Sequence, residues 1–395
     1  MRYTSRTAQS TYQRCPRLYY LSQLFQGRGL DKVKTSIDIV SGVYIHHGVE
    51  LIFKGMDIED VVGSVLTGYK LAINEDNLAV PGGCRFEQVQ NEQMCLIEGL
   101  IRAWHLKRYP EIVGENDIIE VEEDHSVELI EGVTQEFKLD ALLKHKETGL
   151  YSVLSVKTTA SVDRRKLNDA RNDMQGLSET WGVEKVKGIQ IHGVGMEYLI
   201  TGKKEVEESD YEGGKTYVIW SPVVRGWYNA GENKFAYRYS WTDTMGGKHR
   251  LGKGWKRITS SEVDGGVKEW IRSLHEMEFE PVLGYDPLDE CFVNVEWYRS
   301  ASQLIDWEQQ IMAQEDRISK SIEKLEWYPP RHAFHKITLN EEFPQHRHSC
   351  NYPVKCGFYE VCWEGTPIGV GGEFKFREPH HKMQKESLSG QGQGV

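Results

Sequence analysis

The chain has 395 residues, 39% of them hydrophobic and 27% charged, with a formal net charge of −11 at pH 7. That composition belongs to a folded protein with room for two or three domains, and it excludes a disordered chain, a collagen-like chain and a polytopic membrane protein. No apolar run approaches the roughly 20 residues a membrane helix needs. The opening MRYTSRTAQSTYQRCP also lacks the apolar core of a secretory signal, so a cytoplasmic location is expected, the host cytoplasm if the protein is viral. The acidic balance argues against coating nucleic acid by bulk charge but leaves room for a local basic groove.

In chain order, apolar residues at three- and four-residue intervals predict helices around 12–21 and over 40–53, 56–71 and 87–109, with Pro110 ending the last. From 117 to 159 the period falls to two, in IIEVEEDHSVELI, QEFKLDALLKH and LYSVLSVKTT. This predicts a three-stranded antiparallel meander with a hairpin turn at Glu147-Thr148-Gly149. A helix over 163–181 follows, then strands in GIQIHGVGMEYLI, TYVIWSPVV and FAYRYSW, a Gly- and Lys-rich loop over 243–256, and helices over 270–274 and 304–325. The pattern predicts a helical N-terminal lobe (1–110), an α/β core with insertions (111–340), a cysteine cluster (341–365) and a flexible polar tail (383–395). Trp104, Trp181, Trp220, Trp227 and Trp307 are expected in the core rather than on a base-stacking surface.

The meander carries the chemistry. Alternation puts Phe137, Leu139, Ala141 and Leu143 on one face and Lys138, Asp140 and Leu142 on the other, so an acid stands in the middle of an apolar strand. On the next strand Tyr151, Val153, Ser155 and Lys157 share a face. Asp140 facing Ser155 and Lys157 across the hairpin gathers a carboxylate, a hydroxyl and an ammonium. Such a carboxylate can hold Mg²⁺ or Mn²⁺, and such a lysine can orient water for attack on a phosphodiester. The same pair also makes an ordinary ion pair at a sheet edge. Upstream, His46 and Glu50 lie one turn apart in SGVYIHHGVE, a nitrogen ligand and an oxygen ligand or its support, or else a structural histidine and a solvated glutamate. Downstream, Gln175 lies on a helix within reach of a phosphate or a base edge, or is a plain surface glutamine.

The chain has seven cysteines, an odd number too small for a disulfide scaffold. Three fall between 350 and 362, and Cys15 stands directly before Pro16. Cys15, Cys350, Cys356 and Cys362 supply enough thiolates for a [4Fe–4S] cluster or a tetrahedral zinc, with His346 and His348 as further zinc ligands. Free structural cysteines are the other account of the same clustering.

Gly42 and His46, then Asp140, then the run Ser155 to Thr159, then Gln175, taken in that order, resemble the RecB-type branch of the PD-(D/E)XK nucleases. The segments STYQRCPRLYYL and SCNYPVKCGFYEVC resemble its iron–sulfur members, which include AddB-type helicase–nucleases and CRISPR-adaptation exonucleases. The likeness runs in patches from Cys15 to Cys362, and roughly 195–340 has no counterpart. It implies a restriction-endonuclease-like α/β core, a mixed sheet flanked by helices, with a C-terminal cysteine clip. It further implies a metal-dependent DNA exonuclease of recombination, repair or phage DNA processing, acting on single strands or duplex ends, with a helicase or recombinase as partner and no membrane. His46, Asp140 and the Val156 carbonyl would hold Mg²⁺ or Mn²⁺, Lys157 would orient water, Gln175 would position the strand, and the four cysteines would hold the cluster.

Two positions depart from the family. Cys350 and Cys356 are five residues apart where two are usual, and Ser155 stands where the family has an acid two residues before the lysine. Three explanations compete for Ser155. An acid has moved, with Glu50 the nearest candidate; or the metal is held weakly by His46, Asp140, the Val156 carbonyl and water; or the chain is a catalytically inactive nuclease fold that only binds DNA. Glu136 is a poor substitute, because four strand residues set it about 13 Å from Asp140. Arg164, Arg165, Lys166 and Arg171, and the loop bearing Lys248, His249, Arg250, Lys253, Trp255, Lys256 and Arg257, suit contacts to a DNA backbone or are solvated faces. Gly247-x4-Gly252-Lys253 begins a phosphate-loop pattern without its Ser or Thr, so nucleotide hydrolysis is not expected.

Overall fold

A computed structural model describes residues 2–73, 78–79, 86–170, 174–202, 204–209, 215–229, 240–242, 248–250, 278–281, 288–330, 332–351, 355–364, 368 and 373–378. The chain opens with a short strand β1 (Arg2–Thr4) and helix α1 (Arg6–Arg14), whose N-terminus is capped by the Ser5 hydroxyl accepting from the Ala8 amide. Three longer helices follow: α2 (Ile37–Phe53), α3 (Ile58–Ala72) and α4 (Phe86–Glu115). Helix α4 runs on past Pro110, where the sequence pattern ends it. Proline removes the bond to the carbonyl four residues back, which belongs to Leu106. Leu106 is exposed, so water can take that carbonyl and the helix continues.

The predicted three-stranded meander is five strands. Its first two segments each break in the middle, giving β2 (Asn116–Val121), β3 (Asp124–Ile130), β4 (Val133–Lys138) and β5 (Ala141–His145), while the third is the single strand β6 (Tyr151–Thr159). The hairpin at 147–149 forms as expected, with Gly149 at φ 69° and its amide donating to the His145 carbonyl. Helices α5 (Arg164–Ala170) and α6 (Met174–Lys187) then carry the chain across to β7 (Ile191–Ile200), which lies parallel to β6. After β8 (Phe292–Trp297) come α7 (Ala301–Trp327) and α8 (His335–Glu342). The main sheet has the order β8-β7-β6-β5-β2, and a smaller one the order β1-β4-β3.

The main sheet is packed on both faces, which makes this a mixed α/β fold. Ala141, Leu143, Leu154 and Val156 join the apolar stripes of α2, α3 and α4, around the fully buried Trp104. Leu142, Val153, Val194 and Met196 pack on the other face with Phe137, Leu139 and Val183. Each buried Leu, Ile or Val contributes roughly 1.5–3 kcal/mol, so the helical lobe is held on the sheet by area alone. Trp181 and Trp307 are also buried, as expected, while the side chains of Trp220 and Trp227 lie outside the described residues. No helix among the described residues is long and apolar enough to cross a membrane.

Helix α6 sits very close to β4. A Cβ added at Gly182 would lie 2.4 Å from the Phe137 ring, which is itself buried. Gly182→Ala would gain helix propensity but must move a ring packed in the core, and the second effect is larger. The variant is expected to lose about 1–3 kcal/mol of stability, read from the urea midpoint; an unchanged or higher midpoint would show that the contact yields freely.

The rest of the sequence pattern is met in part. Residues 215–229 form two strands rather than one, because the chain turns at Ser221. Lys248–Arg250 is a strand paired with Ser240–Thr242, not the expected loop. Gly247, Gly252, Lys253, Trp255, Lys256, Arg257, the segment 270–274 and the tail lie outside the described residues.

Candidate metal centre

Two strand breaks build the site. The chain leaves the small sheet for the main one at Leu139 and Asp140, and passes between the same two sheets at Glu122 and Glu123. The breaks are tied together: the Glu122 amide donates to the Asp140 carbonyl at 3.3 Å, and the Leu139 amide to that of Glu123 at 3.4 Å. This corrects the continuous strand read from the sequence. The alternation changes sense across Asp140, so Phe137 and Leu139 pack with Leu142, while Ala141 and Leu143 face the helical lobe. Glu122 has φ 56°, a left-handed conformation that costs about 1–2 kcal/mol in a residue with a Cβ.

Helix α2 delivers the imidazole. A Cβ at Gly42 would lie 2.8 Å from the Thr158 hydroxyl, so glycine lets the helix lie against the end of β6. One turn on, His46 Nδ1 stands 3.7 Å from Asp140 Oδ1. His46, Glu122 and Asp140 each offer a ligand atom, all within 4.8 Å of one another and all half-buried. Among the described residues they are the one such set of His, Cys, Asp and Glu.

The second oxygen of Asp140 accepts the Val156 amide at 2.6 Å. Strand β5 begins only at Ala141, so the carboxylate takes the ladder bond a preceding strand residue would have made. In an extended strand a residue's N–H and C=O point to the same side, so the Val156 carbonyl also faces this edge. Burial raises the Asp140 carboxyl, but the Lys157 ammonium, the His46 ring and the Val156 amide outweigh it and hold the group at about 2. Asp140 is therefore an anion at any working pH. Burial pushes Glu122 upward against its ion pair with Lys138 at 2.5 Å, with the Asp140 charge adding to the rise.

Beneath this set lies a second polar group. Ser155 is fully buried, and its hydroxyl donates to Glu179 Oε2 at 2.5 Å. The Gln175 amide donates to Glu179 Oε1 at 2.6 Å and to Ser155 Oγ at 3.4 Å. Burial pushes Glu179 up to about 7 in spite of the nearby Lys157 ammonium, with the Asp140 charge adding to the rise. Lys157 thus acts electrostatically on both Asp140 and Glu179.

Several sequence expectations change here. Glu50 shares the His46 face of α2, but its oxygens are taken by His47 at 3.0 Å and Lys54 at 2.5 Å, and it does not join the ligand set. Gln175 is buried and holds Glu179, so it is not presented to a substrate. Ser155 likewise faces Glu179 and not Asp140. Of the basic residues after β6, Arg164 is exposed, while Lys166 is bonded to the Thr159 hydroxyl and to the Ser161 carbonyl. The side chain of Arg165, and Arg171, lie outside the described residues. Glu122 and Glu179 were missed. The one sequence signal for Glu179 was its place one helical turn after Gln175.

These shifts set a pH dependence for the metal-free protein. Glu179 ordinarily titrates at 4.5 but at about 7 in the fold, so its stabilisation, complete below 4.5, is lost as pH rises through 7. Asp140 has the opposite sign, since a depressed group stabilises above 3.8 and loses that as pH falls through about 2. Chelated wild-type protein is expected to melt at a lower temperature at pH 8 than at pH 5.5, and Glu179→Gln to show a clearly smaller drop. Equal drops in the two proteins would refute the assignment.

The segments that bear the four cysteines come together near the two ends of the described chain. Cys15 breaks the helix at φ −163°, and Pro16 starts the next turn. Arg14, Cys15 and Arg17 are bonded to the segment 339–349 through its carbonyls, Asn340, His346 and Ser349. Cys350 follows a short helical turn, its Sγ accepting from the Trp363 indole N–H at 3.2 Å, and its carbonyl accepts the Cys356 amide at 2.7 Å. Burial pushes the Cys362 thiol up to about 11; Arg17 opposes this, while Cys356, Cys15 and Cys350 add to the rise. Cys362 thus lies near enough to the other three sulfurs to feel their charge.

No family model matches the sequence, and no curated protein is similar to it.

Proposed function

We propose that the protein is a divalent-metal-dependent deoxyribonuclease of the RecB type that carries a [4Fe–4S] clip. The observation that carries this reading is the convergence of His46, Glu122 and Asp140 beside Lys157, where β5 begins alongside β6 and where a helix, an antiparallel hairpin and a helical crossover come together. Two carboxylates and one imidazole within 4.8 Å of one another suit Mg²⁺ or Mn²⁺. Such an ion, held by these three residues, would neutralise phosphate charge and lower the pKa of a water. Lys157 would hold that water in line with the phosphorus, and Asp140 would keep the ammonium oriented through its fixed charge. Arg164 would meet the flanking backbone phosphates.

The clip is read as a cluster because its four cysteines resemble those of the iron–sulfur members of the family, with tetrahedral zinc as the alternative.

Ser155 supports a second reading, a nuclease fold that has lost its activity and serves as a DNA-binding subunit recruiting a helicase or recombinase. Anaerobically purified protein with labelled single- and double-stranded DNA separates the two. Cleavage in Mn²⁺ that chelator abolishes is expected; tight DNA binding with no cleavage in either Mg²⁺ or Mn²⁺ would favour the subunit.

A further inference from the structure

The residue two before Lys157 is the short, uncharged Ser155, so strand β6 offers the candidate centre no second carboxylate. We infer that Glu179 supplies that carboxylate from the facing helix α6, bracketing Lys157 together with Asp140 and adding the charge that draws a divalent cation to the centre. The inference rests on the metal-centre reading and deepens it.

The first support is place. Ser155 Oγ and Glu179 Oε2 touch at 2.5 Å in a fully buried setting. A glutamate at 155 would extend two bonds beyond that hydroxyl, into the volume the Glu179 carboxylate fills. Strand and helix thus present the acid to one spot from opposite sides.

The second support is charge. Of the four other buried glutamates among the described residues, Glu197 is matched by Arg108 at 2.7 Å and Glu315 by Arg2 at 2.6 Å. Such pairing offsets part of the cost of burying a carboxylate. Glu179 instead takes a neutral hydroxyl on one oxygen and a neutral amide on the other. The Lys157 ammonium acts electrostatically on it and on Asp140 alike. Once Glu179 is ionised, two carboxylates share one ammonium, and a divalent cation offsets the excess negative charge. The buried Gln175 and Ser155 fix the carboxylate so that it cannot swing out to water. Glu179 is accordingly a positioning residue acting through Lys157 and the cation.

The test is Mn²⁺ affinity of the full chain, by titration with EPR detection of free Mn²⁺, with circular dichroism to check folding. Glu179→Gln, which keeps shape and hydrogen bonding, is expected to weaken Mn²⁺ binding by about tenfold or more. Ser155→Glu alone is expected to bind no more tightly than wild type, because two carboxylates would compete for one volume. Ser155→Glu combined with Glu179→Ala moves the acid from helix to strand and is expected to restore affinity to within a few-fold. Unchanged affinity in Glu179→Gln, or tighter binding in Ser155→Glu alone, overturns the inference, whether or not the double variant folds. A folded double variant as weak as Glu179→Gln overturns it too. If Asp140→Asn leaves Mn²⁺ binding intact, the metal-centre reading itself falls and takes the inference with it.

Discussion

Asp140→Asn is expected to lower Mn²⁺-dependent DNA cleavage by on the order of a thousandfold, equal to about 4 kcal/mol of barrier, while leaving the fold in place. The asymmetry follows from the two oxygens. One accepts the Val156 amide at 2.6 Å, a bond the asparagine carbonyl can keep. The other faces His46 Nδ1 at 3.7 Å and lies within the ligand set, where a neutral amide binds a divalent ion far less well. Asparagine also frees Lys157 from the charge that orients it. Glu122→Gln is expected to do less, about tenfold in metal affinity, since the Glu122 carboxylate is already partly neutralised by Lys138. Single-turnover cleavage across Mn²⁺ concentrations reads both. An Asp140→Asn protein that cuts at the wild-type rate would mean that the cleft around Asp140 is not the catalytic one.

How far the site was legible depended on which force placed each residue. His46 was readable because a helix has a fixed period: Gly42 marks where α2 touches β6, and the imidazole follows one turn later. Asp140 was readable because an acid inside an apolar run is costly unless it has partners, and it has three. Glu122 was not readable. Its position depends on two strand breaks that align only after β2 and β5 pair, and period-two alternation assumes unbroken strands. Glu50 shows the converse error. It shares a helical face with His46, but Lys54 one turn further on is the nearer opposite charge, and a local ion pair forms more readily than a contact across a cleft. The same logic hid Glu179, whose partner Ser155 is 24 positions earlier on another element.

The strands themselves were better marked than their sheets. The pattern of 117–159 marked where the extended chain lies but not its breaks at 122–123 and 139–140, and the Gly149 turn matches one hairpin register, Ala141 opposite Leu154. It held no record of β1, because three residues of the N-terminus find their place through a ladder with β4 and through Arg2 and Thr4 meeting the buried Glu315 of α7. Such long-range polar pairings follow no sequence period. They also bring residues near the two ends of the chain together, which places Cys15 against the His346 amide, four residues before Cys350.

Cys350→Ser is expected to release the iron and to lower the melting temperature by about 10 °C, taking about 3–5 kcal/mol for a cross-link of long span and about 2–4 °C for each kcal/mol. The effect is large because the thiols have no other reason to be crowded. With Cys356 and Cys362 pushed upward by burial and by neighbouring cysteines, four thiolates at neutral pH need a cation among them. Metal binding is then folding energy for the chain ends. Cys95→Ser, which changes a partly buried cysteine outside the clip, is expected to keep iron and melt near wild type. Trp363→Phe gives the finer comparison: it removes only the indole donor to Cys350, so iron should stay bound while the cluster becomes harder to reduce. Iron and labile sulfide content, the brown absorbance near about 400 nm and a thermal melt together decide the matter. A colourless protein with one equivalent of zinc would replace the iron assignment, and a metal-free Cys350→Ser protein that melts with wild type would show that the clip carries no load.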